Sequence, residues 1–319
     1  MAPDFPPQPR QRLTGLAGLL AALVSWGLLG RERPPLWRRL QRVVADDGQA
    51  VPVCVLGAGP PVVLVHGLGC SHRHWMAVAR RLRQHHRVFV WDARGHGSSV
   101  AAPGANPLTL QRLAADLALL LEHFALPRAA LVGHSMGALV VLRYLADHGS
   151  TRVAAVALVD QSPRLVTDDT WRCGLFGGCS QDLLLGLIDG ARRDLAGTLA
   201  HRVDAAHADW WERHLAADAW LGRRLRHWLR RVDTGALLDL AESLTHADFR
   251  ALLPTLDVPL RVVLGARSAH YGGVPLEQYY RAAVPHAEVE VYARAGHSPH
   301  VAEAARFAFD LRRFLADHA

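Results

Sequence analysis

Leu131-Val132-Gly133-His134-Ser135-Met136-Gly137 is the stretch on which the reading of this 319-residue chain turns. A short apolar run leads into Gly-x-Ser-x-Gly, and a second apolar run follows, as if opening a helix. Strand, tight turn and helix in that order make a nucleophile elbow. The turn is so tight that its flanks must be nearly without side chains, and Gly133 and Gly137 meet that need. Ser135 Oγ is then lifted above the sheet edge. The Met136 N–H, at the start of the helix, is aimed at any negative charge that develops there.

Working outward, three further stretches have matching contexts. Val62-Val-Leu-Val-His-Gly-Leu-Gly69 runs from an apolar strand into His66-Gly67, where the Leu68 N–H is placed as a second oxyanion donor. Two backbone donors suit an oxyanion because they are fixed before the charge appears. Val88 to Ser99 is another strand, ending in Asp92-Ala-Arg-Gly-His-Gly-Ser-Ser. Near the C-terminus, Ala295-Gly-His-Ser-Pro-His300 follows the alternating strand Val289-Glu-Val-Tyr292. His297 thus falls on a loop after the last strand, where a general base belongs.

Together these stretches resemble the α/β-hydrolase superfamily over about residues 43 to 317. The resemblance implies a doubly covered, mostly parallel sheet, a serine nucleophile and a histidine base. It does not imply a substrate, because the fold hosts many chemistries. Within the superfamily the chain looks like the smaller capped esterases, lactonases, thioesterases, C–C hydrolases and cofactor-free haloperoxidases. Serine at the elbow separates it from haloalkane dehalogenases and epoxide hydrolases, which use aspartate there.

The acid of the triad departs from the common pattern. It usually follows the seventh strand, here Leu260–Leu264, but no Asp or Glu occurs from Arg261 to Leu276. A neutral Ser268 or a basic Arg267 cannot stabilise an imidazolium as a buried carboxylate does. Asp160 ends the apolar run Val153–Val159 on the same edge, and some members of the superfamily place the acid there. The expected triad is therefore Ser135, His297 and Asp160. Glu277, an incomplete triad, or Asp160 acting only as a turn cap are the alternatives.

Other residues have plainer readings. His134 packs locally, His66 and His96 bond within loops, and Asp92 and Arg94 shape a turn. His300 opens the last helix. His66 and Gly67 are also expected to border the substrate. The nineteen histidines include no H-E-x-x-H and the cysteines no C-x-x-C, so no metal site is expected. No G-x-G-x-x-G follows the first core strand, and the elbow lacks a phosphate loop's lysine, so no nucleotide cofactor is indicated.

All 36 basic residues are arginine, giving a formal charge of +7. They are scattered over helix faces without a nucleic-acid motif, so no nucleic-acid partner is expected. The lack of lysine excludes a lysine Schiff base. Cys54 and Cys70, near strand ends, read as packed thiols, and the glycines between Cys173 and Cys179 would permit a loop disulfide in an oxidising compartment. Leu13–Gly30 carries no charge, and its 18 residues reach the lower limit for a membrane span. With Arg31, Arg33, Arg38, Arg39 and Arg42 following, it reads as an anchor that leaves the catalytic part cytoplasmic. An interaction helix and a signal peptide are the alternatives.

Strand-like and helix-like runs alternate, which means a parallel α/β sheet with chemistry at the C-terminal strand ends. The expected organisation is a hydrophobic and arginine-rich segment at 1–42, a core at 43–161 and 255–319, and an inserted helical cap at 162–254. Five of nine tryptophans fall in that insertion: Trp171, Trp210, Trp211, Trp220 and Trp228. They predict an aromatic pocket or cap-to-core packing, with Trp210 and Trp211 as substrate-binding candidates. The expected activity is cleavage of a small carboxylic ester, lactone or thioester through an acyl-enzyme. A peracid-forming haloperoxidase and a ligand-sensing receptor on the same fold are the alternatives.

Overall fold

The computed structural model describes residues 40–99, 107–193 and 233–318. Leu13–Gly30, Trp210 and Trp211 lie outside the described residues. Among the described residues, no helix is long and apolar enough to cross a membrane.

Eight strands form one sheet: β1 Gln41–Val44, β2 Ala50–Leu56, β3 Pro61–Val65, β4 Arg87–Trp91, β5 Ala129–His134, β6 Val153–Val159, β7 Leu260–Gly265 and β8 Glu288–Tyr292. Their order is β1-β2-β4-β3-β5-β6-β7-β8. β2 pairs antiparallel with both β1 and β4, and every pairing from β4 onward is parallel. Parallel strands must be joined by crossovers, and those crossovers carry the helices that cover both faces.

Alternation along the strands divides the core in two. On β3, Val63 and Val65 join the larger cluster with Leu113 and Leu117 of α2 (Leu110–His123) and Val140 of α3 (Met136–His148). Val62 and Leu64 point the other way. They pack with Val78 and Leu82 of α1 (Met76–Leu82) and with Phe307 and Phe314, two residues of the last helix. With both faces covered, β3, β6 and β5 up to Gly133 are apolar rather than alternating, and their buried patterns follow.

The insertion after β6 holds α4 (Gln181–Arg193) and α5 (Thr234–Thr245) among its described residues. α5 opens on an Asp233 cap, whose side chain accepts the Ala236 N–H at 3.0 Å. Three helices follow in the C-terminal part: α6 (Leu276–Ala283), the single turn α7 (Pro299–Ala302) and α8 (Ala304–His318).

One boundary differs from the expectation. β1 begins at Gln41, so the sheet takes in the last two residues of the segment assigned to 1–42. Only Val43 of this edge strand is buried, so there is no apolar run to read.

Candidate functional site

Ser135 stands between β5 and α3 with φ +54° and ψ −125°. A non-glycine residue at positive φ is strained, and such strain persists only where the surroundings impose it. The surroundings are tight here. A Cβ on Gly133 would lie 2.3 Å from the Gly137 carbonyl oxygen, and one on Gly137 would lie 2.3 Å from that of Val65. Helix α3 can sit this close to β3 and β5 only because both positions lack side chains. The Ser135 N–H is held by the Val159 carbonyl at 3.0 Å, which ties the elbow to β6.

The three residues expected as a triad come together. His297 Nε2 is 2.9 Å from Ser135 Oγ, and His297 Nδ1 is 2.7 Å from Asp160 Oδ2. They come from the ends of β5 and β6 and the loop after β8, on the C-terminal edge of the parallel strands. Asp160 is fully buried and also at positive φ, +48°. Glu277, the alternative acid, lies on the first turn of α6 and pairs with Arg281 at 3.0 Å. Its carboxylate therefore belongs to a helix surface.

Sequence reasoning missed how Asp160 is held. Oδ1 accepts the Gly265 N–H at 2.8 Å, and Oδ2 accepts the Ser268 hydroxyl at 2.6 Å. The loop after β7, which lacks an acid, supplies donors to the acid on β6 instead. Beyond Asp160, Gln161 Nε2 donates to Tyr271 Oη at 2.8 Å, and Tyr280 Oη donates to the Gln161 carbonyl at 2.8 Å. These residues are buried, and they fix the turn that carries Asp160.

Burial sets the charge states. Desolvation lifts the Asp160 carboxyl to about 6, against the pull of its two donors. Desolvation, with His74 adding to it, lowers the His297 imidazole to about 3. The Asp160 carboxylate works against that lowering without reversing it. At neutral pH the pair is an ionised carboxylate beside a neutral imidazole, the state in which His297 can accept a proton. His270 stacks on His297 with ring centroids 3.7 Å apart and is itself buried.

The two segments expected to supply oxyanion donors, Gly67-Leu68 and Met136, both adjoin Ser135. Met136 is the first residue of α3, so helix geometry gives its N–H no acceptor within the helix. A Cβ on Gly67 would stand 3.2 Å from Ser135 Cβ, so this loop runs directly beside the serine. Its neighbour His66 differs from the expectation. Nδ1 bonds the Gly67 carbonyl at 2.9 Å, and Nε2 accepts the Ala93 N–H at 3.0 Å. With both nitrogens committed to backbone and the residue fully buried, His66 locks the loop and leaves no group to bind substrate.

The Asp92 turn is likewise a scaffold. Asp92 Oδ1 accepts the His72 backbone N–H at 2.6 Å, and Oδ2 accepts that of Ser98 at 2.8 Å. Arg94 is clamped between Asp116 at 2.6 Å and Asp47. In the insertion, Trp171 is buried, donates to the Arg164 carbonyl at 3.0 Å and meets Tyr279 edge-on at 4.6 Å. It packs the insertion onto the core. Cys173 and Cys179 are buried free thiols.

Three histidines that the sequence leaves scattered are also gathered. His74, His134 and His300 are buried, each offering one ring nitrogen within 4.8 Å of the others. No contiguous spacing signals this, because three separate segments supply them.

Comparisons with known proteins agree with this architecture. A family model described as alpha/beta hydrolase fold matches residues 60–304. The pimeloyl-(acyl-carrier protein) methyl ester esterase of Chromobacterium violaceum is 30% identical over 273 residues, covering 82% of this chain and 95% of that protein. Among solved structures, an esterase from Exiguobacterium antarcticum superposes with a TM-score of 0.70 at 21% identity, over 86% of this chain and 99% of its own. A bromoperoxidase from Bacillus anthracis gives 0.68 at 23%, over 87% and 99%. At those identities the two structures share the fold alone.

Proposed function

Because this chain belongs to the alpha/beta hydrolase fold family, we propose that it is a serine hydrolase that cleaves a carboxylic ester through Ser135, His297 and Asp160. The observation that carries this is the hydrogen-bonded line from Ser135 Oγ through His297 to the buried Asp160, at 2.9 and 2.7 Å. His297 Nε2 takes the hydroxyl proton as Ser135 Oγ attacks the ester carbonyl. The Leu68 and Met136 N–H groups hold the oxyanion, where losing one donor costs about 3 kcal/mol of barrier. His297 returns the proton to the departing alcohol. Water, deprotonated by His297, then releases the acid and restores Ser135. Asp160 keeps Nδ1–H oriented and stabilises the imidazolium.

Among ester classes, a small-alcohol ester such as a methyl ester is the substrate of choice. That is the bond named in the activity of the Chromobacterium violaceum relative, whose length the match nearly spans. In this reading the described part of the insertion after β6, which carries α4 and α5, covers the acyl chain.

A screen of methyl and p-nitrophenyl esters of varied acyl length, with Ser135→Ala as control, tests the proposal. Ser135→Ala should lose at least about 10³-fold in turnover. A fluorophosphonate should label the wild-type serine and leave the variant unlabelled. Equal labelling of both proteins would remove Ser135 from its role. Bromide-dependent bromination in acetate and peroxide that outpaces ester hydrolysis would replace the esterase reading with a perhydrolase.

A further inference from the structure

We propose that His74, His134 and His300 form a binding site for a divalent transition cation of the zinc class, set behind the elbow. The three come from the 3₁₀ turn His72–Trp75, the end of β5 and the turn α7, and all are buried. One ring nitrogen of each lies within 4.8 Å of the others. Tetrahedral zinc with bonds of about 2.0–2.1 Å needs donors about 3.4 Å apart, so small ring rotations would close the site.

The hydrogen bonding of His134 suits a metal ligand. Nε2–H donates to the His297 carbonyl at 2.7 Å. That bond places the neutral ring's lone pair on Nδ1, which has no hydrogen-bond partner among the described residues. Histidines that bind metals ordinarily direct their other ring N–H to a carbonyl or carboxylate in this way. His300 adds two buried ring nitrogens, neither with a partner among the described residues. Leaving such groups buried and unbonded is costly, and coordination would satisfy His134 Nδ1 and one nitrogen of His300. Burial also pushes all three imidazoles well below their ordinary value, so each is neutral and able to ligate at pH 7. A further donor is close, with Cys70 Sγ 3.9 Å from His74 Nε2. Imidazole with an adjacent thiol favours zinc, cobalt or copper over magnesium or calcium.

The site would brace two segments. His134 directly precedes Ser135, and His300, in α7, lies three residues after His297, whose ring is 4.8 Å from that of His134. An ion held between them would pin the elbow to the last loop. The inference stands on the cluster's own geometry and does not depend on the esterase reading.

Chelator-stripped, full-length protein titrated with Zn²⁺ tests it. The expected result is one tightly held zinc per chain after gel filtration, with a rise in melting temperature. His300→Gln and His74→Gln should each weaken binding at least about tenfold and abolish the thermal shift. Substituting Co²⁺ should give the intense visible d–d bands of a tetrahedral site in the wild-type protein, a readout that survives if a variant fails to fold. No stoichiometric zinc, unchanged affinity in the variants, or the weak spectrum of octahedral cobalt would each overturn the proposal.

Discussion

Ser268 Oγ donates to Asp160 Oδ2 at 2.6 Å, the same oxygen that faces His297 Nδ1 at 2.7 Å. One carboxylate oxygen therefore serves both the imidazole and the loop after β7. Removing the hydroxyl should raise the Asp160 carboxyl further above its ordinary value, because a donor that favours the charged form is lost. Ser268→Ala should lower kcat roughly tenfold, the scale of one hydrogen bond to a charged group. It should also move the acid limb of the kcat/KM profile to higher pH. Asp160→Asn should cost about 10⁴ in kcat with the melting temperature little changed, while Glu277→Gln should match wild type. A pH profile unmoved by Ser268→Ala would disconnect Ser268 from the dyad.

The elbow glycines can be separated from glycines that carry no constraint. Gly137→Ala would set Cβ 2.3 Å from a backbone oxygen of β3, which cannot move without breaking the sheet. A loss of more than about 3 kcal/mol, or no soluble protein, is expected. Gly186, inside α4, has nothing within 4 Å of an added Cβ. There alanine should stabilise by about 0.5–1 kcal/mol. Thermal denaturation of the two variants measures both effects, and a well-tolerated Gly137→Ala would contradict the packing argument.

The elbow, His297 and the strand ends were legible because each is a local signal, a glycine or histidine pattern fixed to the end of an apolar run. Asp160 could be reached by elimination, since no acid follows β7. Its partners could not. The pairing of Ser268 with Asp160 spans 108 residues, and a serine in a glycine-rich loop looks like turn chemistry. The histidine trio was hidden for the same reason, and β1 because it buries only one side chain. His66 was expected both to bond within its loop and to border the substrate, and only the tertiary contacts show that both its nitrogens go to backbone.

Arg94 should separate scaffold from chemistry. It bonds buried Asp116 through Nε at 2.6 Å and Nη2 at 2.8 Å, and it reaches Asp47 on the β1–β2 turn. Lysine cannot reproduce this fork of bonds. Arg94→Lys should destabilise by about 2–4 kcal/mol, because the Asp116 carboxylate loses much of its pairing. Per folded molecule, kcat should stay within about twofold of wild type. Chemical denaturation alongside active-site titration distinguishes the two effects. A stable variant with collapsed kcat would assign Arg94 to the reaction.

The buried histidines should make the fold acid-labile. His66, His74, His96, His134, His270, His297 and His300 are all pushed below their ordinary value, chiefly by desolvation, with His96 and His297 reaching about 3. For a lowered histidine the unfolded chain binds the proton first. Its stabilising effect is thus complete above the unfolded value near 6.5 and is lost as pH falls below it. Each such group removes up to about 1.4 kcal/mol per pH unit. Even a few acting together between pH 6.5 and 5 would rival the whole stability of a domain, about 5–15 kcal/mol. Asp160 acts oppositely. Its value is raised from 3.8 to about 6, so its effect is most favourable below the unfolded value and is lost as pH rises through 6. Between pH 6.5 and 5 that returns only about 1 kcal/mol, because just one pH unit of the window lies below 6, and it offsets only part of the loss. Calorimetry at pH 7.5, 6.5, 5.5 and 5.0 should therefore show a melting temperature that changes little down to about 6.5 and then drops steeply. Unfolding near pH 5 should be accompanied by uptake of several protons. A melting temperature that held steady to pH 5 would mean that these histidines can charge inside the fold, and the neutral assignments at the site would fail with it.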